Sequence, residues 1–181
     1  EVVHVVASAI KEYQLKRVVL DPVMVATSGD ALITPPTIAV LVKELFPLVS
    51  VITPNLDEAA LLLQRPLASR ADLDKAAQDL VAMGAKAALV KGGHLAGDKV
   101  TDVLLSNGKL HDFSSSRISS QNTHGTGCTL SSAIACKLDP QEQAQAAEAT
   151  LEATRGSGED GTGAPQVGTS SAWRSNTRED V

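Results

Sequence analysis

Residues 49–63, VSVITPNLDEAALLL, decide the fold of this chain. The apolar run 49–52 predicts a short buried strand, and the Thr53-Pro54-Asn55 turn that follows ends it. Apolar residues at helical spacing over 57–63 then predict a short helix. A buried strand followed directly by a helix is the repeating unit of a parallel α/β sheet.

The same unit recurs on both sides of this stretch. Further apolar strands are predicted at 18–20 and 87–90, and amphipathic helices at 4–13, 35–46 and 71–83. Because strands and helices alternate and polar residues gather just after the strands, we expect an α/β fold. Its site should lie at the carboxyl ends of the strands.

The pattern changes after residue 97. Apolar runs at 103–105 and 110–113 flank Asn107-Gly108, which predicts a hairpin on a type I′ turn. A helix is predicted at 126–138, after a glycine-rich turn.

The end of the chain differs in composition from the rest. Residues 139–154 are rich in Ala, Gln and Glu and predict a further helix outside the domain formed by 1–138. Residues 155–181 hold five of the 13 glycines and no Leu, Ile or Phe, which predicts a disordered tail. Gly156, Gly158 and Gly161 match a dinucleotide-binding spacing, but no strand precedes them, so we assign them no such role.

Composition excludes several classes of protein. Hydrophobic residues make up 43% of the 181 residues, enough for one core. The formal net charge of −5 and the 2% aromatic content argue against nucleic-acid and membrane-surface partners. Two cysteines, eight residues apart in one predicted helix, are expected to be reduced thiols and cannot form a four-cysteine zinc site. The chain begins with Glu1 rather than Met, so we expect a fragment.

The most informative motif is NTHGTGCT at 122–129, which opens the predicted helix 126–138. Gly125 and Gly127 allow close approach of a ligand, and the first turn of a helix presents N–H groups and a positive dipole end to anions. Cys128 falls in that first turn, where the same field favours a thiolate and makes it a candidate base or nucleophile. The alternative is a tight turn beside a small buried cysteine.

Three strand ends carry polar side chains of complementary kinds. Asp21 follows the first strand, Asn55 and Glu58 follow the second, and Lys91 follows the third. Together they suit Mg²⁺ held through water and a cation for nucleotide phosphates. Individually each has a simpler explanation, since Asp before Pro starts turns and Asn55 would cap the next helix.

Four stretches, 19–29, 52–59, 89–94 and 122–129, carry a resemblance to a known family. In order and spacing they resemble the hydroxymethylpyrimidine/phosphomethylpyrimidine kinases of thiamine biosynthesis, within the ribokinase-like superfamily. The sequence around residue 122 also resembles that of the plant and algal bifunctional proteins that join this kinase to thiamine-phosphate synthase. The resemblance implies a three-layer α/β/α fold, ATP and Mg²⁺ as cofactors, and phosphorylation of a pyrimidine alcohol and then of its monophosphate.

The resemblance also implies a role for each matching position. The implied roles are an anion hole (Gly125, Thr126, Gly127), a base (Cys128), nucleotide or phosphate binding (Lys91, Gly93, Thr123) and metal binding (Asp21, Asn55, Glu58). Most ribokinase relatives have an aspartate where Cys128 stands.

The chain departs from the family at both ends. Family members begin with a glycine-rich strand and loop that form most of the pyrimidine pocket, so we expect a fold incomplete at the N-terminus. Two alternatives therefore stay open, a pyridoxal kinase-like activity and a truncated fragment without catalysis. The resemblance further implies a homo-oligomer when complete, located in the cytoplasm or, for a plant or algal protein, in the chloroplast.

Overall fold

The computed structural model describes residues 1–25, 32–93, 95, 97–118 and 125–138, together with the backbone of 176–178. Every helix and strand predicted within these ranges is present. In chain order the elements are α1 (Val2–Glu12), β1 (Val19–Leu20), α2 (Pro35–Leu45), β2 (Val51–Ile52), α3 (Leu56–Leu63), α4 (Arg70–Ala82), β3 (Ala87–Val90), β4 (Lys99–Ser106), β5 (Lys109–Ser116), α5 (Thr126–Lys137) and β6 (Asn176–Arg178).

The strands form one mixed sheet in the order β1-β2-β3-β4-β5-β6. β1, β2 and β3 are parallel, with Val19 opposite Val51 and Ile52 opposite Ala88. β4 and β5 extend the sheet in antiparallel fashion. The three parallel strands therefore end at the same edge of the sheet, as the alternation of strands and helices predicted.

The predicted hairpin is confirmed, including its turn. Asn107 and Gly108 have φ angles of +51° and +75°, the left-handed pair that a type I′ turn requires. Both strands are longer than predicted, at eight residues each. The outer parts of the hairpin hold Lys99, Thr101 and residues 114–116 at exposed or half-buried positions and the buried Asp102, so their strand character does not show as an apolar run.

Helices cover both faces of the sheet. On one face, α1 to α4 pack through residues such as Leu41, Leu62 and Leu80 against β2 and β3. On the other face, Leu130 and Ile134 of α5 pack in a second cluster that contains five buried strand residues, Val51, Ala87, Leu89, Leu104 and Phe113. All four residues of β3 are buried, as a strand covered on both sides requires. The three-layer α/β/α fold is confirmed.

Two further features of the described helices concern the cysteines and membrane insertion. Cys128 and Cys136 are both exposed on α5 and are not joined to each other, while their reduced state stays a prediction. Within the described ranges, no helix combines the length and the apolar character that crossing a bilayer requires.

The predicted disordered tail needs one correction. Residues 176–178 form β6, which pairs antiparallel with Leu110, His111 and Asp112 of β5. The far edge of β5 accepts this short strand through its backbone, and tail composition alone does not reveal such pairing. The other residues of 139–181 lie outside the described residues, so the helix at 139–154 and the rest of the disordered tail stay predictions.

Candidate active site

The polar side chains that follow the three parallel strands meet at one point. The Lys91 Nζ lies 3.1 Å from the Asp21 Oδ1, and the Thr53 hydroxyl donates to the same oxygen at 3.1 Å. The Lys91 amide donates to the Pro54 carbonyl at 2.9 Å, and a parallel bridge between Asn55 and Lys91 continues the pairing of β2 with β3. We call Asp21, Thr53 and Lys91 the strand-end cluster.

The first turn of α5 faces the strand-end cluster from the second face of the sheet. A Cβ atom at Gly127 would stand 3.1 Å from the Lys91 Nζ and 3.5 Å from the Asp21 Oδ2. The Ser131 hydroxyl lies 3.5 Å from the same Asp21 oxygen. Gly127 therefore leaves the space that lets the helix approach the Lys91–Asp21 pair this closely.

The start of α5 has an unusual cap. Gly125 occupies the N-cap position with φ +78°, in the left-handed region, and contributes no side-chain hydrogen bond to the helix. The first turn contains no acidic residue that would offset the helix dipole. Together with the neighbouring Lys91 ammonium, this helix start forms a positive site of the kind that binds phosphate oxygens.

The pair at the centre of the cluster is largely shielded from water. The Lys91 and Asp21 side chains are 16% and 13% exposed. Charges at this depth are screened less than surface charges, so each depends strongly on its partner. The cluster therefore presents a fixed cation and a fixed carboxylate to whatever binds at the start of α5.

Asn55 and Glu58 form a capping box at the start of α3. The Asn55 Oδ1 accepts from the Glu58 amide at 2.9 Å, and the Glu58 Oε2 accepts from the Asn55 amide at 2.8 Å. The simpler explanation for Asn55, a helix cap, is thus confirmed. Burial raises the pKa of Glu58 above its ordinary value of 4.5, while the Asn55 amide and the Lys91 charge act in the opposite direction.

The donor set limits what kind of metal site the predicted ligands Asp21, Asn55 and Glu58 could form. No group of three His, Cys, Asp or Glu side chains able to hold a metal occurs within the residues that the structure describes. Asp21 and Glu58 nevertheless lie close enough for their charges to interact. Two carboxylates suit an Mg²⁺ ion that is shared with phosphate groups and water rather than enclosed by protein. The metal-binding roles stay a prediction.

Gly92 and Gly93 shape the turn that follows β3. A Cβ at Gly92 would stand 2.0 Å from the Thr101 carbonyl oxygen, so only glycine fits there. The Gly92 amide donates to the buried Asp102 carboxylate at 2.9 Å. No described residue beyond its chain neighbours comes within 4 Å of the position that a Cβ at Gly93 would occupy.

The remaining predicted residues are placed in part. Thr126 and Cys128 lie exposed on the first turn of α5, on either side of Gly127 in the sequence. Thr123 lies outside the described residues. Sequence reasoning missed Thr53, Asp102 and Ser131, of which only Asp102, a charge within an apolar strand, left a signal in the sequence.

Comparison with known proteins supports this arrangement of motifs. Residues 1–156 match the family described as phosphomethylpyrimidine kinase. The hydroxymethylpyrimidine/phosphomethylpyrimidine kinase of Rhizobium meliloti is 48% identical over 139 residues, which cover 76% of this chain and 52% of that protein. The chloroplastic thiamine biosynthetic bifunctional enzyme TH1 of Arabidopsis thaliana is 40% identical over 141 residues, covering 76% of this chain and 27% of that enzyme.

A solved structure shares the fold. An ADP complex of Bacillus subtilis pyridoxal kinase superposes with a TM-score of 0.72 at 36% identity, covering 84% of this chain and 60% of that one. The chain spans about half the length of the Rhizobium relative, 52%. With a match that extends over 1–156 and relatives of this similarity, the chain belongs to the phosphomethylpyrimidine kinase family.

Proposed function

We propose that this protein binds ATP at the carboxyl edge of its sheet and serves in the phosphorylation of hydroxymethylpyrimidine and its monophosphate. The observation that carries the proposal is the approach of three separate family motifs: Lys91 and Asp21 pair at 3.1 Å, and a Cβ at Gly127 would stand within 3.5 Å of both side chains. A cation, a carboxylate and an open helix start are the parts that phosphoryl transfer uses to bind and neutralise phosphate oxygens.

Each residue has a part in this proposal. The N–H groups at the start of α5, from Gly125 to Gly127, receive the oxygens of the transferring phosphoryl group, and Lys91 neutralises their charge. Gly93 lies beside the phosphates, and Thr123 is assigned there by resemblance alone. Bound Mg²⁺ would neutralise phosphate charge opposite Asp21 and Glu58, with Asn55 orienting Glu58 through the capping box.

Cys128 is the proposed base. Its thiolate takes the proton of the substrate hydroxyl, and the resulting oxygen attacks the γ-phosphorus while ADP leaves with the electron pair of the broken bond. The position supports this role because Cys128 lies exposed on the turn that receives the phosphoryl group. Cys136 is exposed on the same helix and lies two turns away, so it offers a matched control.

Turnover of purified protein tests the proposal. ADP release is measured with ATP, Mg²⁺ and hydroxymethylpyrimidine, its monophosphate or pyridoxal. We expect Cys128→Ser to lower turnover by about 10²-fold with ATP affinity near normal, and Cys136→Ser to leave both unchanged. Unchanged turnover in Cys128→Ser would remove Cys128 from the mechanism.

Two alternatives are decided by the same assay. A pyridoxal kinase-like activity has one observation in its favour, the 0.72 TM-score to a pyridoxal kinase, and preferential turnover of pyridoxal would establish it. A protein that binds ATP and releases no ADP with any of the three substrates would be the non-catalytic fragment. The proposed location is the cytoplasm or, for a plant or algal protein, the chloroplast, in which the Arabidopsis relative is placed by its name, and a homo-oligomer remains the proposed assembly.

A further inference from the structure

Arg117, the first residue after β5, binds three carbonyl groups of one short segment. Its Nε donates to the Gly97 carbonyl at 2.8 Å, its Nη1 donates to the Gly93 carbonyl at 2.9 Å, and its Nη2 donates to the Leu95 carbonyl. The Arg117 amide also donates to the Asp98 carbonyl at 2.7 Å. We call Gly93, Leu95 and Gly97, the described residues of this stretch, the clamped segment.

Apart from the bonds to Arg117, the described residues make few interactions that fix the conformation of the clamped segment. It begins and ends with glycine, and Gly97 has a φ of +119°, a backbone conformation that residues other than glycine rarely adopt. No described residue beyond the chain neighbours comes within 4 Å of the Cβ position of either Gly93 or Gly97. The Leu95 amide donates a hydrogen bond to the Gly92 carbonyl at 3.0 Å, and the Leu95 side chain packs against the larger core cluster. Arg117 supplies one hydrogen bond to each of the three residues of the clamped segment.

The clamped segment is attached directly to the candidate site. It follows Lys91, whose ammonium group faces the start of α5, and Gly92, whose amide is tied to Asp102. The space that the described residues leave beside Gly93 is where a ligand could approach the backbone closely. Arg117 also stands at the end of β5, only eight positions before Gly125, so one side chain joins the β3 turn to the strand that leads toward α5.

We propose that Arg117 is a positioning residue for nucleotide binding: its guanidinium fork fixes the clamped segment so that Gly93 and Lys91 are held ready for the phosphates of a nucleoside triphosphate. This proposal rests on the proposed function. The planar guanidinium presents several N–H donors in one rigid geometry, which a lysine ammonium cannot reproduce. The Arg117 side chain is exposed. We therefore expect its loss to affect the local order of the clamped segment and the affinity for the nucleotide more than the overall stability.

The test is the affinity of the full chain for Mg·ATP, measured by titration calorimetry, in Arg117→Met and Arg117→Lys. Arg65→Met is the matched control, because the Arg65 guanidinium pairs with the Asp72 and Asp79 carboxylates of α4 rather than with carbonyl groups of the clamped segment. We expect Arg117→Met to weaken ATP binding about tenfold by loss of preorganisation. Arg117→Lys should match it within about twofold, since the fork rather than the charge is required.

Hydrogen exchange of the amides of 93–98, measured without nucleotide, provides the second readout. We expect faster exchange in both Arg117 variants and no change in Arg65→Met, with the melting temperature of all three close to that of the unmodified protein.

Three results would overturn the proposal. ATP binding unchanged in Arg117→Met would show that the clamp does not serve the nucleotide. Full binding in Arg117→Lys would show that a charge alone is needed, and unchanged exchange of 93–98 would show that there is no clamp. Failure of the folded, unmodified chain to bind Mg·ATP is a different result, since it overturns the proposed function itself and with it the role of Arg117.

Discussion

Two helices begin at the carboxyl edge of the sheet, and their first turns are built in opposite ways. α3 begins with Asn55, whose side chain and that of Glu58 satisfy each other's backbone amides, and its first turn holds two acidic residues. α5 begins with Gly125, which provides no side-chain cap, and its first turn holds no acidic residue. α3 thus neutralises its own dipole, whereas α5 leaves a positive end beside Lys91. The contrast supports the proposal that the first turn of α5, rather than that of α3, binds the phosphates, while the first turn of α3 stabilises the fold.

Removing the Lys91 cation, which faces the start of α5, should have the largest effect on the contrast between the two helix starts. Lys91→Met leaves the Asp21 carboxylate largely buried and without its charged partner. We expect a loss of about 3 kcal/mol in the free energy of unfolding, because an uncompensated charge remains in the interior. Denaturant unfolding measures the loss.

Lys75→Met is the control for that substitution. The Lys75 side chain is 64% exposed and pairs with Asp79 at the surface, four residues along α4. An exposed pair of this kind contributes only about 0.5 kcal/mol. Equal losses in Lys75→Met and Lys91→Met would show that the strand-end cluster is an ordinary surface pair.

Gly127→Ala sharpens the contrast by separating stability from binding. The new methyl group would meet the Lys91 Nζ at 3.1 Å, and that flexible side chain would have to move. Alanine in a helix is more stable than glycine by up to about 1 kcal/mol, so the fold should be unharmed. We expect Mg·ATP affinity to fall about tenfold as Lys91 is displaced, measured by calorimetry beside thermal melting. A variant that is stabilised and binds ATP normally would contradict this account of α5.

Asn55→Ala tests the opposite helix start. Loss of a helix cap costs about 1 kcal/mol, and Ser69→Ala, at the equivalent capping box of α4, should cost about the same. Urea unfolding compares the two variants. If Ser69→Ala lowers stability and Asn55→Ala does not, the capping role of Asn55 is wrong.

Glu58→Gln gives the smallest expected effect, a change in how stability depends on pH. Because burial raises the pKa of Glu58, the folded protein holds this proton more tightly than the unfolded chain does. The stability that this group contributes is present below pH 4.5 and is lost as pH rises through the higher folded pKa. The Asn55 amide and Lys91 oppose the shift and keep the effect small.

We therefore expect the free energy of unfolding of Glu58→Gln, relative to that of the unmodified protein, to increase as the pH is raised from 4 to 8. A stability difference that stays constant over this range would contradict the raised pKa.

The sequence predicted the parallel half of the fold well, because short apolar strands and periodic helices are local patterns. It also predicted that Asp21 and Lys91 would meet, since parallel strands end at one edge. It did not predict the Arg117 clamp, which joins residues 20 to 24 positions apart through carbonyl groups that every residue carries. The pairing of β6 with β5 was missed for the same reason, because backbone pairing leaves little trace in composition.

The central claim is that nucleotide phosphates bind at the start of α5 and not at the start of α3. The most direct test is amide hydrogen exchange of the folded chain with and without Mg·ATP, comparing residues 125–129 with 56–59. The account predicts that Mg·ATP slows exchange much more at 125–129, whose amides would bind the phosphates, than at 56–59, where only the Glu58 side chain would face the Mg²⁺. Equal protection of both helix starts, or protection of α3 alone, would contradict it.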